Sequence, residues 1–197
     1  MKVCKNMDAQ YYPVSWSLYH ELARRLAASI LSHAKPVDKI VAISRGGLTL
    51  GHLMTDFLRI TIATFTIQSY EDVQKIGELY ITEPLKSPIK DQHVLLVDDV
   101  ADTGKTFIRA KKYLRRFRPK DITTVSMFYK PNSLYRPDFI AETTSKWIIF
   151  PTEVTETILS ITKSMEKQGK SKATIQKLLY SLGFTPEQIR FVRKYYL

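Results

Sequence analysis

The stretch "VLLVDDVADTGKT", Val94 to Thr106, begins as a short buried strand, passes through two adjacent acids and ends in a turn of small residues. A Walker loop for nucleotide phosphates needs a glycine five positions before Gly104, and that position is Asp99. This sequence therefore departs from the polyphosphate pattern. A strand that leads through Thr103 and Gly104 into a helix still exposes backbone N–H groups, which suit one phosphate.

Asp98 and Asp99 stand at the carboxyl end of this strand, where open α/β sheets place their ligands. Ionised carboxylates only accept hydrogen bonds, so the pair suits hydroxyl donors such as those of a ribose. A sugar that offers hydroxyls beside a single phosphate is a ribose 5-phosphate. The alternative is a solvated turn, which the crowding of two acids without a partner disfavours.

Composition limits the class of protein. A chain of 197 residues suffices for one domain with an appendage. The formal charge of +11 predicts attraction to polyanions, which include nucleic acid, anionic lipid and phosphorylated small substrates. Cys4 is the only cysteine, so no intrachain disulfide can form. "MKVCKNMDAQ" lacks an apolar signal core, and we expect a soluble cytoplasmic protein with no membrane partner.

Strand and helix patterns alternate along most of the chain. Strands are predicted at "KIVAIS", "ATFTI", "TTVSMFYK" and "KWIIF", and helices at "WSLYHELARRLAASIL", "LTLGHLMTDFL" and "KTFIRAKKYLRRF". The polar segment "QSYEDVQKIGELYITEPLKSPIKD" predicts a mobile flap flanked by weak strands. The alternation predicts an α/β fold, with a parallel sheet that carries helices on both faces.

The composition changes from Val154 onward. Three helices are predicted there, separated at Gly169 and Gly183, with Thr185 and Pro186 as the N-cap and first residue of the last helix. Over residues 156 to 197, eight bases and three acids give 8 − 3 = +5. We therefore expect two parts, a domain over residues 1–155 with a small hood, and a basic helical extension over residues 156–197.

Apolar residues in this extension repeat at helical spacing. They are Ile175, Leu178, Leu179 and Leu182 on one face, and Ile189, Phe191, Val192, Tyr195 and Tyr196 on a second. Two helices cannot bury that much apolar surface alone, so the extension is expected to pack on its own domain or on a partner subunit. The rival interpretation is a small nucleic-acid-binding module.

"VLLVDDVADTGKT" resembles the central motif of the type I phosphoribosyltransferases. From about Val14 to Glu153 the chain is similar to their purine-salvage branch, which includes the xanthine-guanine and hypoxanthine-guanine enzymes. The resemblance implies the family fold and transfer of ribose 5-phosphate from phosphoribosyl pyrophosphate to a purine. It also implies that Asp98 and Asp99 bind the ribose hydroxyls and act in catalysis. The residues implied at the 5-phosphate are Thr103, Gly104, Lys105 and Thr106.

Two further motifs carry the resemblance. "SRGG" is similar to the family's pyrophosphate loop, where the small residues Ser44, Gly46 and Gly47 allow close backbone approach and Arg45 supplies charge. "SY", Ser69 and Tyr70, resembles the dipeptide that opens the catalytic flap.

Mg²⁺ is the implied cofactor. The resemblance places it near Asp98 and Asp99, mostly through substrate or water, with Glu153 as a weaker candidate ligand.

The base site is implied by single residues. Lys130 in "FYKP" matches the lysine that donates to O6 of a 6-oxopurine, and Trp147 matches the aromatic that stacks on the base, with the Ile148 backbone at its edge. Asp102 matches the acid that accepts the proton of N7, where typical adenine enzymes have alanine. Taken alone, Lys130 also fits a solvated charge and Trp147 a core aromatic.

One departure from the family pattern lies in the hood, at residues 150–153. This segment reads "FPTE", with Thr152 where close relatives commonly have tryptophan. Hypoxanthine, guanine and xanthine are the leading bases, with adenine as the alternative. A further alternative is a non-enzymatic regulator that senses phosphoribosyl pyrophosphate and binds nucleic acid. The expected partners are the two small substrates and other copies of the chain, in a dimer or tetramer, and nucleic acid is not expected.

Overall fold

The computed structural model of the protein describes residues 10–33, 36–69 and 79–197. The chain divides into two compact units. Residues 20–145 belong to the first, which we call the sheet unit. The second, called the helical unit, comprises the described residues before residue 20 together with residues 146–197. The expected boundary between residues 155 and 156 stays a prediction.

The strands in chain order are β1 (Tyr11–Pro13), β2 (Lys39–Ser44), β3 (Ile62–Ser69), β4 (Leu79–Glu83), β5 (His93–Ala101), β6 (Asp121–Tyr129), β7 (Phe139–Thr143) and β8 (Trp147–Ile149). The helices are α1 (Trp16–His33), α2 (Gly47–Leu58), α3 (Lys105–Leu114), α4 (Val154–Lys167), α5 (Lys172–Ser181) and α6 (Pro186–Tyr196). A short 3-10 helix, Arg115–Phe117, continues α3.

The sheet unit is built on six strands in the order β4-β3-β2-β5-β6-β7. Strands β3, β2, β5, β6 and β7 pair in parallel, and β4 lies antiparallel to β3 at the edge. A parallel strand needs a crossover connection, and α2 and α3 supply the crossovers from β2 to β3 and from β5 to β6. The predicted α/β fold with a mainly parallel sheet is confirmed.

Helices cover both faces of this sheet. On one face, Val41 of β2 and Leu96 of β5 share a buried cluster with Phe107 of α3. The other face carries α2, because a Cβ on Gly51 would lie 2.8 Å from the Cβ of Ala42. Apolar residues therefore occupy both faces of β2 and β5, as strands buried on two sides require.

Two strand assignments differ from the sequence prediction. "KWIIF" yields β8, which pairs in parallel with β1 in a separate two-stranded sheet instead of extending the central one. The sixth strand of the central sheet is β7, which was not predicted. Both strands are short, and β7 is half-exposed, so their patterns carry little local signal, whereas pairing with the distant residues 11–13 is a tertiary effect.

The helical unit contains the three predicted tail helices. Their inward side chains form one buried cluster with Ile149 of β8, and Tyr11 of β1 packs against it. The buried tail residues are Ile158, Ile161, Met165, Ile175, Leu178, Leu179, Leu182, Phe184, Ile189 and Val192. Phe191, Tyr195 and Tyr196 are 49%, 60% and 53% exposed, so only part of the second apolar surface is buried.

The start of α6 follows the predicted capping pattern. Thr185 accepts a hydrogen bond from the Gln188 N–H at 3.2 Å, and the Gln188 side chain accepts one from the Thr185 N–H at 2.8 Å. Pro186 occupies the first helical turn. This reciprocal pair satisfies two N–H groups that a helix start otherwise leaves open.

Candidate active site

The sheet reverses its direction of growth between β2 and β5. The chain runs from β2 to β3 on one side and from β5 to β6 on the other, while β2 and β5 are themselves neighbours. Open parallel sheets bind ligands in the crevice at this point, beyond the carboxyl ends of the strands. Ser44 is the last residue of β2, and Asp98 and Asp99 lie near the carboxyl end of β5.

The loop after β2 lies directly against the acid pair. A Cβ on Gly46 would meet Oδ1 of Asp99 at 2.6 Å, closer than real side chains approach. A Cβ on Gly47 would overlap the carbonyl of Val97. Glycine is therefore required at position 47, where the neighbouring atoms belong to the backbone. Arg45, after a cis Ser44–Arg45 peptide bond, is exposed at the same edge.

Asp98 is buried, whereas Asp99 is half-exposed. Burial raises the pKa of Asp98 well above its ordinary value, and the charge of Asp99 raises it further. Hydrogen bonds from the Asp99 N–H, at 3.1 Å, and the Gly47 N–H oppose this rise because they stabilise the carboxylate. The two carboxylates thus offer hydrogen-bond acceptors side by side, and ionisation of Asp98 is costly in the absence of a bound donor or cation.

The turn between β5 and α3 forms the second half of the crevice. Gly104, the N-cap of α3, has φ of +79°, which glycine adopts readily. A glycine N-cap has no side chain to occupy the N–H groups of the helix start, which favour an anion. Thr103 and Lys105 are exposed beside it, and Thr106 is half-buried.

Lys130 follows β6 and lies close enough to Asp102 to interact with it electrostatically. Partial burial lowers the pKa of Lys130, and the charge of Asp102 opposes that shift. The Lys130 N–H donates to the carbonyl of Ala101 at 3.1 Å, so the ends of β5 and β6 are tied together. Asp102 itself is exposed. The structure thus brings a cationic donor and an acid together next to the acid pair.

The remaining predicted site residues belong to the end of β3, to the helical unit or to a segment outside the described residues. Ser69 is the last residue of β3, and Tyr70 falls in the segment 70–78, which the structure does not describe. Trp147 and Ile148 belong to β8, and Glu153 immediately precedes α4, so all three are in the helical unit. Trp147 is 67% exposed, which excludes the alternative of a core aromatic.

A family model for the phosphoribosyl transferase domain matches residues 15–157. The chain belongs to the phosphoribosyltransferase family. The predicted fold and family resemblance are therefore confirmed. The match ends in the first residues of α4, so most of the three-helix tail lies outside it.

Named relatives of this phosphoribosyltransferase are purine enzymes. The xanthine-guanine phosphoribosyltransferase of Idiomarina loihiensis is 31% identical over 141 residues, which span 70% of this chain and 84% of the relative. The crystal structure of a purine phosphoribosyltransferase from Pyrococcus horikoshii has a TM-score of 0.67 at 27% identity, covering 72% of this chain and 93% of that one.

The xanthine-guanine-hypoxanthine phosphoribosyltransferase of Helicobacter pylori has a TM-score of 0.65 at 22% identity, covering 76% of this chain and 98% of that one. That likeness concerns the fold.

One part of the phosphoribosyltransferase site was missed from the sequence. The loop after Lys130 lies over the α3 turn: the Leu134 N–H donates to the Thr103 carbonyl at 3.0 Å, and a Cβ on Gly104 would meet Oγ of Ser133 at 2.7 Å. Its sequence, "PNSLYRPD", carries turn residues and predicts a loop, but only the fold shows what that loop covers.

Among the residues that the structure describes, no three histidine, cysteine or acidic side chains gather as a ready-made metal site. Within the same residues, no helix combines the length and apolar character needed to cross a membrane.

Proposed function

We propose that this phosphoribosyltransferase transfers ribose 5-phosphate from phosphoribosyl pyrophosphate to a 6-oxopurine, giving the nucleoside monophosphate and pyrophosphate. The observation that carries the proposal is the placement of Lys130 beside Asp102, one strand from the acid pair. A lysine has only donors to offer, so it suits a carbonyl oxygen and not an amino group. The xanthine-guanine relative agrees with this choice of base.

The sugar would be held between the two loops of the sheet unit. In this proposal Asp98 and Asp99 accept hydrogen bonds from the ribose 2- and 3-hydroxyls. Thr103, Gly104, Lys105 and Thr106 cradle the 5-phosphate at the start of α3. As the bond to pyrophosphate breaks, the ring becomes cationic, and the negative charge of the acid pair stabilises it.

The leaving group would lie on the loop after β2. Ser44, Gly46 and Gly47 allow its backbone to approach the pyrophosphate, and Arg45 supplies a positive charge. The close approach of Gly46 to the Asp99 carboxylate supports this arrangement. Ser69 and Tyr70 are proposed to open a flap that excludes water from the cationic sugar.

Single residues would recognise the base. Lys130 donates to O6, and Asp102 accepts the proton that leaves N7 when the new bond forms at N9. Trp147 is proposed to stack on the purine, with the Ile148 backbone at its edge. The exposure of Trp147 supports this role, since its ring face is open to a ligand.

The residues present fit Mg²⁺. This ion binds proteins through one or two carboxylates together with substrate phosphates, and Asp98 and Asp99 supply such a pair without a dedicated cage. Glu153 is retained as a weaker candidate ligand. When bound, Mg²⁺ would neutralise charge on the pyrophosphate.

A substrate panel tests the proposal. Purified protein would be mixed with Mg²⁺, phosphoribosyl pyrophosphate and each purine or pyrimidine base in turn, and pyrophosphate release measured. Turnover with guanine, hypoxanthine or xanthine is expected. Exclusive use of adenine would support the alternative suggested by Thr152 and would contradict the role of Lys130.

Absence of turnover with every base, together with tight salt-dependent binding of RNA or DNA, would support the regulator alternative. The comparisons favour neither alternative.

Oligomeric state and location stay predictions. A homodimer or tetramer in the cytoplasm is proposed. Size-exclusion chromatography with light scattering measures the first directly, and a monomer at assay concentration would contradict it.

A further inference from the structure

The loop from Lys130 to Tyr135 joins two halves of the proposed site. At its start, Lys130 is tied to the end of β5 through the Ala101 carbonyl, and the Ser133 N–H donates to the Lys130 carbonyl at 2.9 Å. At its other end, the Leu134 N–H donates to the Thr103 carbonyl. One short loop therefore holds both the proposed base donor and the proposed phosphate turn.

Tyr135 anchors this loop through its ring. The ring stacks on Phe107 of α3 with centroids 5.5 Å apart and planes 16° from parallel. Phe107 is fully buried, so it provides a fixed surface. The Lys111 ammonium lies 5.1 Å from the centroid of the Tyr135 ring, on the side of the hydroxyl group.

The Tyr135 hydroxyl completes a network with defined donors. Lys111 donates to it at 2.8 Å, and the hydroxyl lies 3.2 Å from Oγ1 of Thr124. Thr124 uses its own hydrogen on the Asp138 carboxylate at 2.6 Å, while the Asp138 N–H donates back to Thr124 at 3.0 Å. The proton of Tyr135 therefore goes to Thr124, and the buried Thr124 hydroxyl has its full set of partners.

We propose that Tyr135 is a positioning residue that sets the placement of Lys130 and of the Thr103–Gly104 turn together. Its ring and hydroxyl hold the loop from both sides, on α3 and on β6. Because one anchor serves both half-sites, loosening it weakens the binding of phosphoribosyl pyrophosphate and of the base at once. This inference rests on the function proposed above.

The test compares two Tyr→Phe variants. Tyr135→Phe keeps the stack on Phe107 and removes the hydroxyl that contacts Lys111 and Thr124. Tyr113→Phe is the matched control, since the Tyr113 hydroxyl accepts from the Leu85 N–H at 2.9 Å, and Leu85 lies outside this loop. Lys111→Met removes the donor to Tyr135 and provides an independent variant. The measurements are the Kd for phosphoribosyl pyrophosphate without base, KM for the base, kcat and Tm.

Tyr135→Phe is expected to raise the Kd and the base KM together by about threefold to tenfold, the size of one lost hydrogen bond. Lys111→Met should shift both in the same direction. Tyr113→Phe should lower Tm while leaving both within about twofold of wild type, because the bond it loses is structural.

Unchanged Kd and KM in Tyr135→Phe, or equal changes in both Tyr→Phe variants, would overturn the inference while leaving the proposed function intact. A wild-type protein that fails to bind phosphoribosyl pyrophosphate would overturn the proposed function and this inference with it.

Discussion

The sheet unit and the helical unit are specified by signals of different range. In the sheet unit, Asp98, Asp99 and the turn to Gly104 follow one another closely in sequence. They lie at the carboxyl end of β5, where open parallel sheets bind their ligands. In the helical unit, Ile149, Ile158 and Val192 meet only after distant segments pack. The geometry of the proposed sugar site therefore depends mainly on residues that are close in sequence. The stability of the tail depends on contacts between residues that are far apart in sequence.

The largest effect is expected at the acid pair. Asp98→Asn or Asp99→Asn removes a negative charge facing the sugar at little steric cost, and kcat should fall roughly 100-fold or more. The matched control is Asp91→Asn. Asp91 is an exposed acid that precedes β5, at the opposite end of this strand from the acid pair. Steady-state kinetics with each variant measure the loss. Near-normal turnover in both acid-pair variants would refute the ribose assignment.

Lys130→Ala tests base recognition separately from sugar recognition within the sheet unit. Its backbone bonds to Ala101 and Ser133 remain, so the loop is expected to stay in place. KM for guanine or hypoxanthine should rise by about tenfold or more, since a hydrogen bond from a charged donor is lost. KM for phosphoribosyl pyrophosphate should change less. Lys120→Ala, exposed before β6, is the control; equal losses for both substrates would contradict the assignment.

The prediction for the acid pair relies on a feature that the sequence specified well. The buried strand, the acid pair and the Gly104 turn form a contiguous pattern, so the fold class and the proposed sugar site follow from it. Tyr135 was missed because its role depends on stacking with Phe107 and on a network reaching Thr124, 11 residues upstream. The pairing of β8 with β1 was missed for the same reason: a three-residue strand takes its partner from the assembled fold.

Removal of the tail tests the helical unit. Deleting residues 156–197 takes away the side chains that cover Ile149 and Tyr11, so lost thermal stability, altered assembly or insolubility is expected. Single substitutions test the stability of the helical unit without removing the tail. Leu179→Ala, at a fully buried site, should cost about 2–5 kcal/mol of the unit's stability, whereas Phe191→Ala at a half-exposed site should cost much less.

Thermal melting and light scattering measure these changes. A truncated protein with unchanged melting, assembly and activity would show the tail to be an independent module, contrary to the buried cluster that it shares with β8.

The smallest expected effect also concerns Asp98, and it is an effect on stability instead of turnover. Burial and the neighbouring Asp99 raise the pKa of Asp98 in the folded protein. An acid whose pKa is raised by folding holds its proton more tightly when folded. Its ionisation therefore opposes folding, and stability is lost as pH rises from the unfolded pKa, about 3.9, towards the folded value.

Asp98→Asn keeps the shape and an acceptor for the Asp99 N–H, but carries no charge. The variant is therefore expected to melt higher than wild type at pH 8, by about 2–4 °C for each kcal/mol recovered, and the difference should shrink as pH falls towards 4. Asp56→Asn, exposed on α2, is the control and should show no such pH dependence. A variant that melts below wild type at pH 8 would mean that the Asp98 carboxylate stabilises the fold, and that the acid pair is not held at a cost for its function.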